Sequence, residues 1–145
     1  MNARLSLSAI ADHLRGVLPS VHVGTGYDND FITDFGKRYP AVWVGAQRLQ
    51  RLDDGRGLTG QYRQHCRVEV VFRLVVQRYA AGVTSPEGDL NALHDSVAAA
   101  LTAYKPAGAD DAFVWESSQD GDLSESVMTA DLVMSVTTTY ASNSR

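Results

Sequence analysis

Cysteine is nearly absent: Cys66 stands alone in a chain of 145 residues that also has only four prolines. A single thiol cannot close an intramolecular disulfide, so a small secreted domain stapled by disulfides is excluded and a reducing compartment is expected. Long apolar runs are missing as well. Residues 1–11 carry one basic residue, Arg4, followed by alternating Leu, Ser and Ala. That pattern is neither a signal peptide nor a membrane span, and synthesis in the cytosol is the expectation. Basic charge is in deficit too, because 13 Lys+Arg against 17 Asp+Glu leave a formal net charge of -4. The two signs are interspersed, which argues against a counterion-displacing basic face and hence against tight nucleic-acid binding.

What is present fits one core. The length suits a single domain, and no break in composition divides it, so residues 1–145 read as one unit with 141–145 as a flexible tail. Leu7, Ile10, Ala11, Leu14, Val17 and Leu18 recur at helical spacing, with Ser6 as N-cap and Pro19 as stop. Residues 21–24 read as a short strand and 26–38 as a long polar loop. Pro40 opens a second strand through Ala41, Val42, Trp43 and Val44 toward Leu52, and Asp53, Asp54, Gly55, Gly57 and Gly60 mark a turn. The clearest signal follows. Cys66, Val68, Val70, Phe72, Leu74 and Val76 alternate with Arg63, His65, Arg67, Glu69, Arg73 and Gln77, which is the period of a strand with one apolar face. Leu90, Leu93, His94, Val97, Ala98, Leu101 and Tyr104 return to helical spacing, with Ser85, Pro86 or Asp89 at the start and Pro106 beyond the end. Residues 113–116 are predicted as a short strand, 117–125 as a polar acidic loop, and Leu132, Met134, Val136, Thr138 and Tyr140 as a last alternating strand. The order predicts an α+β fold: a mainly antiparallel β-sheet, two α-helices packed on it, and a long β-hairpin.

The central strand is too long for its domain. About 18 residues at about 3.3 Å each span roughly 60 Å, whereas a domain of this size is only about 38 Å across. Either the strand bends at a bulge, or part of the hairpin projects and leaves edges and side chains for another subunit to cover. Val71 and Val75, which interrupt the charged face, would be exposed unless a helix or a neighbouring chain lies over them.

Catalytic and metal-binding patterns do not assemble. Gly24 and Gly26 lack the third glycine of a dinucleotide fingerprint, and around Gly36-Lys37 a phosphate loop would need glycine at Phe31 and a hydroxyl at Arg38. Asp28, Asp30 and Asp34 fail the calcium-loop pattern at Ile32 and Thr33, so they read as a solvated loop, as do Asp120, Asp122 and Glu125. His13, His22, His65 and His94 show no metal-ligand spacing, and His94 reads as a satisfied core or boundary residue. Cys66 and His65 point to opposite faces of their strand, so they form no nucleophile pair, and Cys66 reads as a buried inert thiol. Arg63, Arg67 and Arg73 either sit on a solvated face, touch nucleic-acid phosphates, or pair with acidic groups of an adjacent copy; the acidic chain favours the last of the functional readings. No catalytic residue, metal or cofactor is expected.

The amphipathic first helix, the stretch Tyr39-Pro40-Ala41-Val42-Trp43-Val44, the long alternating strand, the second helix, and the closing Ala130-Asp131-Leu132 strand that runs to Tyr140 together resemble the tail terminator proteins of long-tailed phages, the minor tail protein U type. The resemblance covers most of the chain. It implies a structural virion protein at the tail-neck junction, made in the host cytoplasm, whose hexameric ring caps the tail tube, stops its polymerisation and offers the head's neck a docking surface. The implied partners are sister copies, the tail-tube protein and the neck or head-completion protein, with DNA passing through the lumen without specific binding and no membrane. On this reading Arg63, Arg67, Glu69, Val71, Arg73 and Val75 are candidates for the contact between copies. Asp28, Asp30, Asp34, Asp53, Asp54, Arg56, Asp120 and Asp122 are candidates for loops that meet tube or neck. The competing readings are another head-tail connector or tail-completion protein, a small metal-dependent enzyme using the aspartate-rich loops, and a ligand-binding domain with a pocket between sheet and helices.

Overall fold

Capping chemistry sets where each helix begins. The computed structural model describes residues 4–26, 38–52, 61–78, 85–123 and 127–143. Helix α1 spans Leu7–Val17, and its N-cap Ser6 accepts the Ala9 N–H at 3.2 Å, satisfying an amide that the first turn leaves without a carbonyl. Leu7, Ile10, Ala11 and Leu14 form its buried stripe. Helix α2 spans Pro86–Thr102 behind the N-cap Ser85, whose hydroxyl accepts the Gly88 N–H at 3.1 Å. Glu87 and Asp89 in its first turn face the positive end of the helix dipole, and Leu90, Leu93, Val97 and Leu101 are buried. The two helices meet where the His13 ring stacks on Tyr104 with 3.8 Å between centroids. His13 Nε2 lies 3.1 Å from the Ala100 carbonyl, and since a carbonyl only accepts, that nitrogen carries the proton. Desolvation pushes the Tyr104 hydroxyl above its usual pKa.

The strands are β1 (His22–Thr25), β2 (Ala41–Arg51), β3 (Gln61–Gln77), β4 (Val114–Leu123) and β5 (Val127–Asn143), in the order β1-β2-β3-β5-β4. β1 runs parallel to β2 and the other pairs are antiparallel, so the α+β architecture and the long β2-β3 hairpin are as the periodicity predicts. Both helices lie on the face that carries Val68, Val70, Phe72, Leu74 and Val76. These side chains join Val42, Val44, Leu132, Met134, Val136 and the two helical stripes in one core. Burying each large apolar side chain contributes about 1.5–3 kcal/mol, and slipping the register by one residue would turn all of them to solvent.

β3 keeps an unbroken register with β5 from Gln61↔Asn143 to Gln77↔Val127. Its 17 residues span about 56 Å, while the 17 residues of α2 cover only about 26 Å. The helices therefore roof one half of the ribbon. Past Val68 and Val136 the sealed core ends: Leu49 and Cys66 are half-buried, while Gln50, Arg51, Leu52, His65 and Tyr140 are exposed. Thr138 remains buried there because Ala109 forms a bridge beside it. The bulge falls in β2, between Val44 and Gln47, and not in β3.

Three expectations need correction. Residues 117–123, expected in a polar loop, continue β4, because β5 offers them an open edge and an edge strand tolerates polar side chains on its outer face. β5 runs through Asn143 where a frayed tail was expected from 141, since Gln61, Tyr62 and Arg63 provide backbone partners. Cys66 is half-buried rather than buried, because it stands beyond the reach of the helices.

Candidate assembly surface

The face of the sheet away from the helices carries the odd-numbered residues of β3. Arg73 meets Asp131 of β5 in a two-pronged pair, Nε to Oδ1 at 3.0 Å and Nη2 to Oδ2 at 3.2 Å. Arg67 pairs with Glu116 of β4 through Nη2 and lies 3.5 Å from Glu69 through Nε. Ser135 donates its hydroxyl to the other Glu116 oxygen at 2.6 Å. Glu116 reaches these partners because the register of β4 shifts between Trp115 and Ser117; the extra residue at that bulge swings onto the helix-free face. The carboxylates that Arg67 and Arg73 need thus come from their own chain, which corrects the expectation that an adjacent copy supplies them.

Val75 is also reassigned. It is 1% exposed, sealed with Ala41 under Tyr39, Trp43 and Val127, so it has no surface for a neighbour. The small Ala41 opposite Val75 leaves room for the aromatic rings to close over both. Val71 remains half-buried and lines an open cleft of about 480 Å³ with Leu7, Gly26, Trp43, Gly45, Ala46 and Arg73. A second cleft of about 430 Å³ lies between Leu18, Val21, Tyr39, Pro40, Val76 and Leu93, where a ligand-binding reading would look. Its polar lining is Ser20, Gln77, Asp89 and Ser96.

Toward the far end of the ribbon, Asp111 accepts from the Thr137 N–H at 2.9 Å and from the Thr137 hydroxyl at 3.0 Å, and Asp110 accepts from the Thr139 hydroxyl at 2.6 Å. His65 Nδ1 lies 3.2 Å from the same Thr139 oxygen. With the hydroxyl proton committed to Asp110, Nδ1 is the donor. On the helix side, Trp115 Nε1 donates to Ser118 Oγ at 2.8 Å, Ser118 Oγ is 2.6 Å from His94 Nε2, and His94 Nδ1 is 3.1 Å from Asp95 Oδ1. The hydroxyl–imidazole–carboxylate connectivity is that of a hydrolytic triad, but the Asp95 side chain is 84% exposed and sits next in sequence to the histidine. A buried carboxylate is what holds the imidazole in such a triad, and the exposed Asp95 does not provide one. The chain of bonds instead staples β4 to α2, which makes His94 a satisfied boundary residue.

Of the remaining candidates, Glu69 is half-buried beside Arg67 and Asp120 is exposed on β4 rather than in a loop. Arg63 is placed by its backbone opposite Ala141, and Asp122 by its backbone in β4. Asp28, Asp30, Asp34, Asp53, Asp54 and Arg56 lie outside the described residues. Among the described residues no three His, Cys, Asp or Glu side chains are grouped to hold a metal ion, and no helix is long and apolar enough to cross a membrane. Glu116, Asp131, Asp110 and Asp111 escaped the sequence reading because each acquires its role from a cross-strand register that periodicity does not specify.

The Arg67–Glu116–Ser135 group gives a stability prediction. Both ionic side chains are about a third exposed, so solvent screens the pair, and a double-mutant cycle with Arg67→Met and Glu116→Gln is expected to give a coupling of about 1 kcal/mol. Urea denaturation at low and high salt measures it, with the coupling shrinking as salt rises. Zero coupling at low salt would mean that the contact is merely solvated.

A comparison of the sequence with protein-family profiles matches residues 1–143 to the family described as phage tail terminator protein. No curated protein matches the chain.

Proposed function

The chain belongs to the phage tail terminator family, and from that premise we propose that it acts stoichiometrically, as a ring of identical copies that occupies the end of the tail tube. Membership makes it a structural protein of the phage tail. The further steps are our reading: the ring, hexameric by resemblance, blocks addition of further tube subunits, presents a docking surface to the neck at the tail-neck junction, and lets DNA pass through a lumen that does not grip it. The observation that carries the ring is the uncovered half of the β2-β3-β5 ribbon, where the helices end and exposed strand edges begin. Open edges of this kind form main-chain bonds with another chain. The net charge of -4 suits a lumen that repels phosphates weakly rather than holding them.

Deletion of the gene tests the reading. Tails purified from the deletion should vary widely in length by electron microscopy and should fail to join heads, and supplying the protein in trans should restore both. Tails of normal, uniform length in the deletion would remove it. Uniform tails that merely fail to join heads would instead favour a head-tail connector.

A further inference from the structure

The uncovered half-ribbon has two open flanks, and they carry opposite charge. β1 accompanies β2 only as far as Val44, so among the described residues the stretch from Leu49 to Arg51 has β3 on one side and no strand on the other. The Gln47 amide, bonded to the Leu5 N–H and carbonyl at 2.9 Å each, covers only the beginning of this edge. Leu52 N–H donates to the His65 carbonyl at 2.8 Å. Antiparallel alternation then turns the N–H and C=O groups of Leu49 and Arg51 away from β3, toward the open side. On the opposite flank, Asp110 N–H donates to the Thr137 carbonyl at 2.8 Å. Odd-numbered residues of β5 therefore point outward, and beyond Thr137 the main-chain groups of Thr139 and Ala141 meet no described strand.

Arg48 and Arg51 are exposed on the β2 flank, and among the described residues neither has a carboxylate within ion-pair distance. Asp110 and Asp111 are exposed on the β5 flank, fixed in place by Thr139 and Thr137. A carboxylate has about four acceptor sites, so both keep capacity for a guanidinium. Both β2 and β5 are antiparallel to β3, and so they run in the same direction. A copy rotated about an axis along the strands brings its β5 flank beside the first copy's β2 flank with the strands parallel. Different patches meeting head to tail close into a ring when the rotation closes.

We propose that the copies of the ring join through this contact: the β2 flank with Arg48 and Arg51 of one copy seats against the β5 flank with Asp110 and Asp111 of the next. The inference rests on the ring reading above and assigns its seam. Outward main-chain groups supply strand pairing, and the opposite charges of the two flanks supply direction, because like flanks repel.

Charge reversal on purified full-length protein tests the seam, with assembly followed by native mass spectrometry alone and on purified tail tubes. Arg48→Glu/Arg51→Glu makes both flanks acidic, and Asp110→Lys/Asp111→Lys makes both basic. Each variant alone should lose assembly by at least about tenfold, while an equal mixture should regain it, because unlike copies alternate. The arginine variant removes no described bond, so its circular dichroism and melting temperature should match wild type. Should the aspartate variant fail to fold, Asp110→Asn/Asp111→Asn, which keeps oxygen acceptors for both threonines, replaces it and should still weaken assembly. An arginine variant that is folded and assembles like wild type overturns the seam, and so does one that assembles normally yet fails on tubes or with DNA, which would give the arginines to those partners. Wild-type protein that stays monomeric both alone and on tubes sinks the ring itself, and the seam with it.

Discussion

Phe72→Ala should destabilise the chain by about 3–5 kcal/mol, the usual cost of emptying a large aromatic site that cannot collapse. Phe72 is fully buried at the middle of β3 and meets Phe113 edge-to-face, with 6.1 Å between centroids and an 81° interplanar angle. Its neighbours belong to rigid elements on every side: Val44 stands opposite on β2 and Leu132 on β5. None of those backbones can move inward without breaking a ladder. Domains of this kind have about 5–15 kcal/mol in total, so the variant would be marginal. The check is a urea titration in which the midpoint falls while the slope stays constant, together with a melting temperature lower by on the order of 10 °C. A loss below about 1 kcal/mol would show that the core refills the site, contrary to its close packing.

Gly45→Val is expected to cost about 1–3 kcal/mol, for a different reason. A Cβ at Gly45 would stand 3.0 Å from the main-chain oxygen of Val71. That oxygen belongs to the central strand, which is bonded on both sides, so it cannot swing away as a side chain would. Gly45 sits within the β2 bulge between Val44 and Gln47, and a branched side chain must push β2 away from β3 there. The displacement should reach Gln47 and its two bonds to Leu5. Amide exchange should accelerate from Gln47 to Arg51 while the β3-β5 ladder stays protected, and Gly45→Ala should show the same pattern at lower cost. Unchanged melting temperature and exchange in the valine variant would contradict the close approach.

How much of this could be read from the chain alone differs by element. Period-two alternation from Cys66 to Val76 and the stripe Leu7, Ile10, Ala11, Leu14 located β3 and α1 almost to the residue, because burial on one face leaves a periodic trace. Ser6, Ser85 and Pro86 announced the helix starts, since capping is a local bond. β4 left a trace only at its start, in the short strand expected over 113–116. Its residues Ser117, Ser118, Gln119 and Asp120 are polar, and they form a strand only because β5 holds an edge for them. Val75 shows the converse: an apolar residue on a charged face looked like an interface, and aromatic neighbours distant in sequence seal it.

The α+β class, the helix boundaries, the overlong ribbon and the likeness to tail terminators are all legible in the order of residues, because each rests on local periodicity, capping or short motifs. Which carboxylate meets which arginine, that Val75 is inside, and that the open flanks carry opposite charge emerge from the folded sheet alone. Those facts depend on register and strand order, which are set by the packing of the whole sheet against its helices, and no single segment encodes them.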